Sequence, residues 1–210
     1  MQITTIPLGP LQTNSYLLYE GTTAVVIDPG GQPTPIMAFL LQEKLELTHI
    51  LLTHLHFDHI YGVRALASIT DAPIYASLHD RQLMQTPYGK GGMWGMEEVE
   101  PFDFTPLREG SPMKMLRTSC LILPTPGHTP GGVSYYFPST EVVFTGDTLF
   151  HRSVGRTDFP GSSTNQLIHS IETQLFSLPG ETQVFPGHGE PTTIGAERLH
   201  NPMVGGATTV

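Results

Sequence analysis

Between Thr53 and His59 the chain reads Thr-His-Leu-His-Phe-Asp-His, so His54, His56, Asp58 and His59 bring three imidazoles and a carboxylate together. Imidazole nitrogen and carboxylate oxygen are the ligands that zinc and similar divalent ions take. An ion held this way can lower the pKa of a bound water to about 7, which makes a nucleophile available at neutral pH. The run Ile50-Leu51-Leu52 precedes the cluster, and an apolar-periodic segment with Ile60, Val63, Leu66 and Ala67 follows it. A strand that ends in a polar loop and passes into a helix would leave all four side chains at one sheet edge.

Three more apolar runs end in the same manner. Leu121-Ile122-Leu123 leads to His128, Val142-Val143-Phe144 leads to Asp147, and Val184-Phe185 leads to His188. Each of these residues follows a buried-strand pattern in a glycine-containing loop, where α/β proteins place their sites. The seven candidates are His54, His56, Asp58, His59, His128, Asp147 and His188. They exceed the needs of one tetrahedral ion and suit two ions about 3.5–4 Å apart that share a carboxylate. His49, His79, His151, His169 and His200 have no such context. Of these, His169 reads as a structural residue of a helix, and His151 stands near enough to Asp147 for a supporting role.

Positioning these groups takes alternating strands and helices. Residues 2–6, 15–19 and 23–27 read as strands, the last ending at the turn Asp28-Pro29-Gly30-Gly31. Helical spacing covers 35–45 and 58–69, and short strands cover 49–52 and 73–76. Residues 85–112 show no clean period and hold Tyr88, Trp94, Phe102 and Phe104. A stretch that long reads either as a functional flap carrying aromatics or as an excursion packed on the surface. Strands follow at 113–116, 120–123, 132–137, 141–144 and 182–185. Ser163-Thr164-Asn165-Gln166 reads as a capping box for a helix with Leu167, Ile168, Ile171 and Leu175 on one face. One domain over 1–203 is expected, with a flexible Gly/Thr-rich tail at 204–210.

Composition narrows the function classes. With a net charge of -9 and a pI near 5.5, the chain lacks the clustered Lys and Arg that nucleic acid requires. No run of ~20 apolar residues points to a membrane span. The start Met1-Gln2-Ile3-Thr4-Thr5 lacks the basic and apolar pattern of a signal peptide. A cytoplasmic location is expected, and nothing in the sequence gives an oligomeric state. The one cysteine, Cys120, lies in an apolar run and reads as a buried small side chain.

The motif His54-x-His56-x-Asp58-His59, with His128, Asp147 and His188 in that order, resembles the metallo-β-lactamase fold superfamily. The likeness runs from Asn14-Ser15-Tyr16 and Ile27-Asp28-Pro29-Gly30 onward. It implies an α/β fold, an αββα sandwich of two mixed β-sheets with external helices. Thr145-Gly146-Asp147-Thr148-Leu149-Phe150 and Gly155-Arg156-Thr157-Asp158-Phe159-Pro160-Gly161 are similar to the short bacterial members of the hydroxyacylglutathione hydrolase (glyoxalase II) branch. So are the segment from Gly187 to Gly195 and Asn201-Pro202. The resemblance implies one ion on His54, His56 and His128 and another on Asp58, His59 and His188, with Asp147 bridging. Zinc is the expected metal, and iron and manganese also accept such ligands. Asp58 and Asp147 are the candidate catalytic carboxylates. A metal-bridging hydroxide would attack the carbonyl of a small-molecule thioester, S-lactoylglutathione or a related acyl-thiol, with the oxyanion stabilised by the metals.

The chain departs from that branch around the substrate. The family's lysine is Arg156 here, its tyrosine two positions later is Asp158, and the tyrosine after the last metal histidine is Glu190. The helical C-terminal domain that supplies basic residues for the glutathione carboxylate would begin about where this chain stops. Arg156 is either a substrate anchor that binds a carboxylate bidentately or a structural arginine paired with Asp158 or another acid. A persulfide dioxygenase is the first alternative, since it shares Gly-Arg-Thr-Asp-Phe and uses one iron on the positions of His54, His128 and Asp147. A lactonase is the second. A β-lactamase, a nuclease and a diiron electron-transfer module fit the ligand pattern, charge or length less well.

Overall fold

The computed structural model describes residues 1–92 and 97–205. The chain packs as two compact units. One holds residues 1–107 and 114–118, and the other holds 108–113 and the residues from 119 onward. Both are mixed α/β, and the chain holds two six-stranded sheets.

In the first unit β1 (Gln2–Leu8), β2 (Thr13–Glu20) and β3 (Thr23–Ile27) form an antiparallel meander. β4 (Glu46–Leu51), β5 (Ile74–Ala76) and β6 (Thr105–Pro106) extend it in parallel, so the sheet order follows the chain. Parallel neighbours need crossovers. Helix α1 (Thr34–Glu43) supplies one between β3 and β4, and α2 (Phe57–Ile60) with α3 (Val63–Thr70) supplies the next. The alternation of β3 places Val26 inside with Leu17 and Ile50, where they meet Ile36 of α1 and Val63 and Leu66 of α3.

The sequence predicts one helix over 58–69, but the helix breaks at Tyr61-Gly62. Gly62 N–H donates to Pro29 O at 2.9 Å. A Cβ at Gly62 would lie 2.0 Å from Gly31 O, so only glycine lets the two loops approach this closely. The 85–112 stretch is more ordered than its composition suggests. A 3₁₀ turn over Leu78–Gln85 passes into α4 (Pro87–Lys90). Val99 and Phe104 are buried in the unit's core, with Phe102 packed against it. Those residues follow the packed-excursion reading, whereas Trp94 and the flap expected around it lie outside the described residues.

The second sheet runs β14-β13-β10-β9-β8-β7. Its strands are β7 (Pro112–Met115), β8 (Thr118–Pro124), β9 (Val133–Phe137), β10 (Val142–Gly146), β13 (Gln183–Pro186) and β14 (Thr192–Thr193). β10 and β13 are parallel, and the other recorded pairs are antiparallel. Between β10 and β13 the chain makes a small hairpin, β11 (Leu149–Phe150) and β12 (Ser153–Val154), and then α5 (Thr164–Ser170). A π-helical turn over Ile171–Leu175 continues α5. Leu167, Ile171 and Leu175 are fully buried against Val143 and Val184, each burial contributing ~1.5–3 kcal/mol.

Half of the expected capping box forms. Ser163 Oγ accepts from Gln166 N–H at 3.4 Å, while Ser163 N–H donates to Gly127 O at 2.8 Å. That second bond ties the start of α5 to the loop before His128. A last helix, α6 (Ile194–His200), has no counterpart in the sequence reading. It is short, and Thr193 Oγ1 caps it by accepting Ala196 N–H at 3.2 Å. Of the expected flexible tail, Val204 packs on the second core and Gly205 N–H donates to Asn201 O, while 206–210 lie outside the described residues. Among the described residues no helix is long and apolar enough to cross a membrane.

Candidate metal centre

The predicted ligands occupy the strand ends that the apolar runs point to. In the first unit β4 delivers His54, His56, Asp58 and His59, all buried. β3 delivers a further carboxylate that sequence reading took only as part of a turn. Asp28 follows Ile27 directly, with φ of 51°, a left-handed conformation that Asp tolerates better than most residues. This backbone turn drives its side chain into the unit, where it is 2% exposed.

Asp28 orients two of the histidines. Its Oδ2 lies 2.9 Å from His59 Nδ1 and accepts Thr53 Oγ1–H at 2.6 Å, while its Oδ1 accepts Thr53 N–H at 2.8 Å. With its hydroxyl proton donated to Asp28, Thr53 Oγ1 serves as acceptor for His54 Nδ1 at 3.0 Å. Both imidazoles therefore carry their proton on Nδ1 and present the Nε2 lone pair, the form a metal ligand takes. Nε2 of His54 and of His59 is buried without a hydrogen bond, which fits a coordinating role. Ligand-type atoms of Asp28, His54 and His59 also cluster within 4.8 Å. That trio is a hydrogen-bond relay rather than an ion site, because both Asp28 oxygens are committed to Thr53 and His59.

Asp80 and Thr13 complete this shell. Asp80, 1% exposed, accepts Leu55 N–H at 3.1 Å on Oδ2 and so fixes the backbone between His54 and His56. Thr13 Oγ1 donates to Asp58 Oδ2 at 3.3 Å. No spacing rule marks either residue, since each comes from a different strand or turn.

The second unit holds His128, Asp147 and His188 at the ends of β8, β10 and β13. Asp147 Oδ2 lies 3.7 Å from His128 Nε2 and 3.6 Å from His188 Nε2. Both separations are too long for a hydrogen bond. They match the ~3.4 Å between two ligand atoms bound at about 2.1 Å to one tetrahedral ion. One carboxylate oxygen is therefore spaced to share an ion with each histidine. The same spacing recurs in the first unit, where His59 Nε2 is 3.7 Å from Asp58 Oδ2.

Here orientation comes from the backbone. His128 Nδ1–H donates to Arg156 O at 2.8 Å, which again leaves Nε2 for metal. That carbonyl is close because Gly155 has no side chain. A Cβ there would lie 1.9 Å from Asp147 O and 3.2 Å from His128 Nδ1. The loops around Asp147 and His188 are joined through Glu197, which is fully buried. It accepts from Arg152 Nη1 at 2.7 Å, Arg152 N–H at 2.9 Å, Thr192 Oγ1–H at 2.6 Å and Asn201 Nδ2 at 2.9 Å. Arg152 follows Asp147 in the hairpin, and Thr192 follows His188 in β14.

Arg156 takes the paired arrangement that the sequence left open. Its Nε and Nη2 bind Asp158 Oδ1 and Oδ2 at 2.7 and 2.6 Å. The hydrogen bonds from Arg156 hold the Asp158 carboxyl down to about 2. Phe159 meets His128 edge-on with 6.0 Å between centroids, and Phe150 meets His188 at 6.3 Å. Cys120 is buried, and desolvation pushes its thiol far above its usual range. His79, His151, His169 and His200 are exposed and His49 is half-buried. His169 thus sits on the solvent face of α5 rather than in its packing.

The family model for the metallo-beta-lactamase superfamily matches residues 8–188. An uncharacterised protein of Mycobacterium leprae is 39% identical, covering 98% of this chain and 100% of its own. A probable metallo-hydrolase of Bacillus subtilis is 36% identical, with 96% of each covered. The hydroxyacylglutathione hydrolase GloC of Haemophilus influenzae is 34% identical over 97% of this chain and 98% of its own.

Among solved structures, the BLEG-1 B3 metallo-beta-lactamase superposes with a TM-score of 0.89 at 39% identity, covering 98% of this chain and 100% of that one. A protein solved in a di-iron-bound form, TTHA1623, gives 0.86 at 41%, covering 95% and 98%. ETHE1 from Myxococcus xanthus gives 0.78 at 32%, covering 96% and 84%. The chain belongs to the metallo-β-lactamase superfamily and has its α/β fold. Within it the chain is a metal-dependent hydrolase, with His/Asp clusters suited to divalent ions.

Proposed function

We propose that the chain is a cytoplasmic thioesterase with a two-metal centre, which hydrolyses S-lactoylglutathione or a related acyl-thiol. The observation that carries the two-metal reading is the placement of Asp147 Oδ2, 3.7 and 3.6 Å from the coordinating nitrogens of two histidines. In this reading His54, His56 and His128 would hold one ion, Asp58, His59 and His188 would hold the other, and Asp147 would serve both. When bound, two such ions supply a water activated at neutral pH and polarise the acyl carbonyl. Zinc is favoured by the histidine-rich set, although the di-iron relative shows that such a fold also accepts iron.

The residues of this chain prepare that chemistry. Asp28 and Thr53 hold His54 and His59 in one tautomer, and Arg156 O does the same for His128. Asp58 and Asp147 contribute the anionic ligands that fix the ions next to the scissile bond. Arg156 would anchor the thiol part of the substrate by exchanging its Asp158 partner for the incoming group. The thioester itself is supported by the hydroxyacylglutathione hydrolase relative and by the resemblance of the segment Gly155–Gly161 to its short bacterial members.

A second reading, persulfide dioxygenase, is favoured by the likeness to ETHE1. The test is elemental analysis of the purified chain alongside hydrolysis of S-lactoylglutathione, with oxygen uptake on glutathione persulfide and hydrolysis of a cephalosporin as parallel arms. Thioester hydrolysis with two ions per chain supports the proposal. Oxygen uptake with one iron, or β-lactam turnover without thioester turnover, overturns it.

A further inference from the structure

Three hydroxyls lie buried inside the second unit, where the packing around them is otherwise apolar. Thr125, Ser134 and Thr148 are 0, 0 and 3% exposed. They form one chain. Thr148 Oγ1–H donates to Thr125 Oγ1 at 3.3 Å, and Thr125 Oγ1 lies 3.0 Å from Ser134 Oγ. Thr148 directly follows Asp147, and Thr125 precedes His128 in the loop after β8. Ser134 stands on β9, the strand between β8 and β10. Each loop closes by its own backbone bonds: Thr125 N–H donates to Gly132 O at 2.8 Å, and Thr148 N–H to Thr145 O at 3.1 Å. The Thr148–Thr125 bond therefore joins two turns that are already shaped, one carrying Asp147 and one leading to His128.

Stability alone does not account for such a chain. A buried hydroxyl without a partner is costly, and replacing both partners of a bond by apolar groups of the same shape is nearly neutral. What directional bonds add in a core is a unique arrangement. The arrangement at stake here is the 3.7 Å between Asp147 Oδ2 and His128 Nε2. We propose that Thr148 and Thr125 are positioning residues, whose hydroxyl chain to Ser134 sets the span between Asp147 and His128 for an ion held by both. This rests on the metal-centre reading and is independent of which substrate the centre cleaves. Arg156 O turns the His128 ring through Nδ1, whereas the hydroxyl chain fixes the loop that carries Asp147.

The experiment titrates the metal-free full chain with zinc against a chromogenic chelator and records the visible absorption of the cobalt form. Denaturant unfolding of the metal-free chain is followed in parallel. Wild type is compared with Thr148→Val, Thr148→Ser and the triple variant Thr125→Val/Ser134→Ala/Thr148→Val. The triple variant leaves no hydroxyl of the chain orphaned, so its unfolding midpoint stays at or above that of wild type. Its zinc affinity falls about tenfold, the lower end of what supporting groups around a ligand contribute, and its cobalt bands shift. Thr148→Val shows the same loss and the same shift. Thr148→Ser keeps the donor and matches wild type in both.

Wild-type zinc affinity and cobalt bands in the triple variant overturn the proposal. So does a Thr148→Ser variant that fails as Thr148→Val does, since the methyl group would then be responsible. A triple variant whose midpoint falls together with its affinity also overturns it, because the chain would then only stabilise the fold. Zinc-loaded wild type that cleaves no thioester overturns the substrate reading and leaves this proposal standing, whereas wild type that binds no zinc overturns both.

Discussion

The two units solve one problem by different means. In the first, four proposed ligands come from six consecutive residues and are oriented by side chains, Asp28 through Thr53 and His59, and Asp80 through the Leu55 amide. In the second, three proposed ligands come from three strand ends and are oriented by a backbone carbonyl and by the Glu197 network. Burial follows the same division. The His59 side chain is fully buried, whereas that of His188 is 29% exposed. A dense ligand motif needs buried carboxylates to keep like groups in distinct orientations. Dispersed ligands need only loops of fixed shape. The first arrangement is thus vulnerable to single side-chain changes, and the second to changes in loop packing.

The largest effect separates the shared carboxylate from an unshared one. Asp147→Asn removes the ligand spaced for two ions. Metal content should fall below one per chain, and turnover should drop by more than the ~100-fold that groups outside the ligand shell can cost. Asp58→Asn should leave one ion in place. Equal metal loss from the two variants would show that Asp147 does not bridge.

Next comes the relay. Asp28→Asn should weaken metal binding by about 10–100-fold in a chelator titration, because His59 and Thr53 both lose a charged acceptor. Arg156→Ala should leave metal affinity nearly unchanged, since His128 is held by that residue's backbone. A loss of affinity at Arg156 as large as at Asp28 would erase the contrast between side-chain and backbone orientation.

A small effect on affinity is also expected at Glu197. Glu197→Ala leaves Arg152, Thr192 and Asn201 without their shared acceptor and should cost about 1–3 kcal/mol in denaturant unfolding. Metal affinity of the folded protein should change by far less than the roughly 10–100-fold typical of groups bonded directly to a ligand. A metal loss greater than the stability loss would place Glu197 in the first rank of ligand-supporting residues.

The two arrangements also differ in how visible they are from sequence. All seven proposed ligands were legible, because apolar runs ending in polar glycine loops mark strand ends whatever the fold. The amphipathic period of α5 and its Ser163 cap were legible for the same local reason. Asp28 was visible only as a turn, since its role depends on a positive φ that points it at residues 25 and more positions away. Asp80 and Glu197 act through contacts across 25 and 45 positions, which no periodicity encodes. The break between α2 and α3 depends on Gly62 meeting Pro29 and Gly31, a tertiary demand that overrides a good helical pattern. Strand β14 and helix α6 are too short for a period to show.

The most direct test of a shared-carboxylate two-metal thioesterase is a titration of metal-free protein with zinc, following bound metal and S-lactoylglutathione hydrolysis together. The account predicts that hydrolysis rises with loading and saturates at two ions per chain, and that Asp147→Asn abolishes both. Full hydrolysis at one ion per chain, or two bound ions with no thioester cleavage, would contradict it.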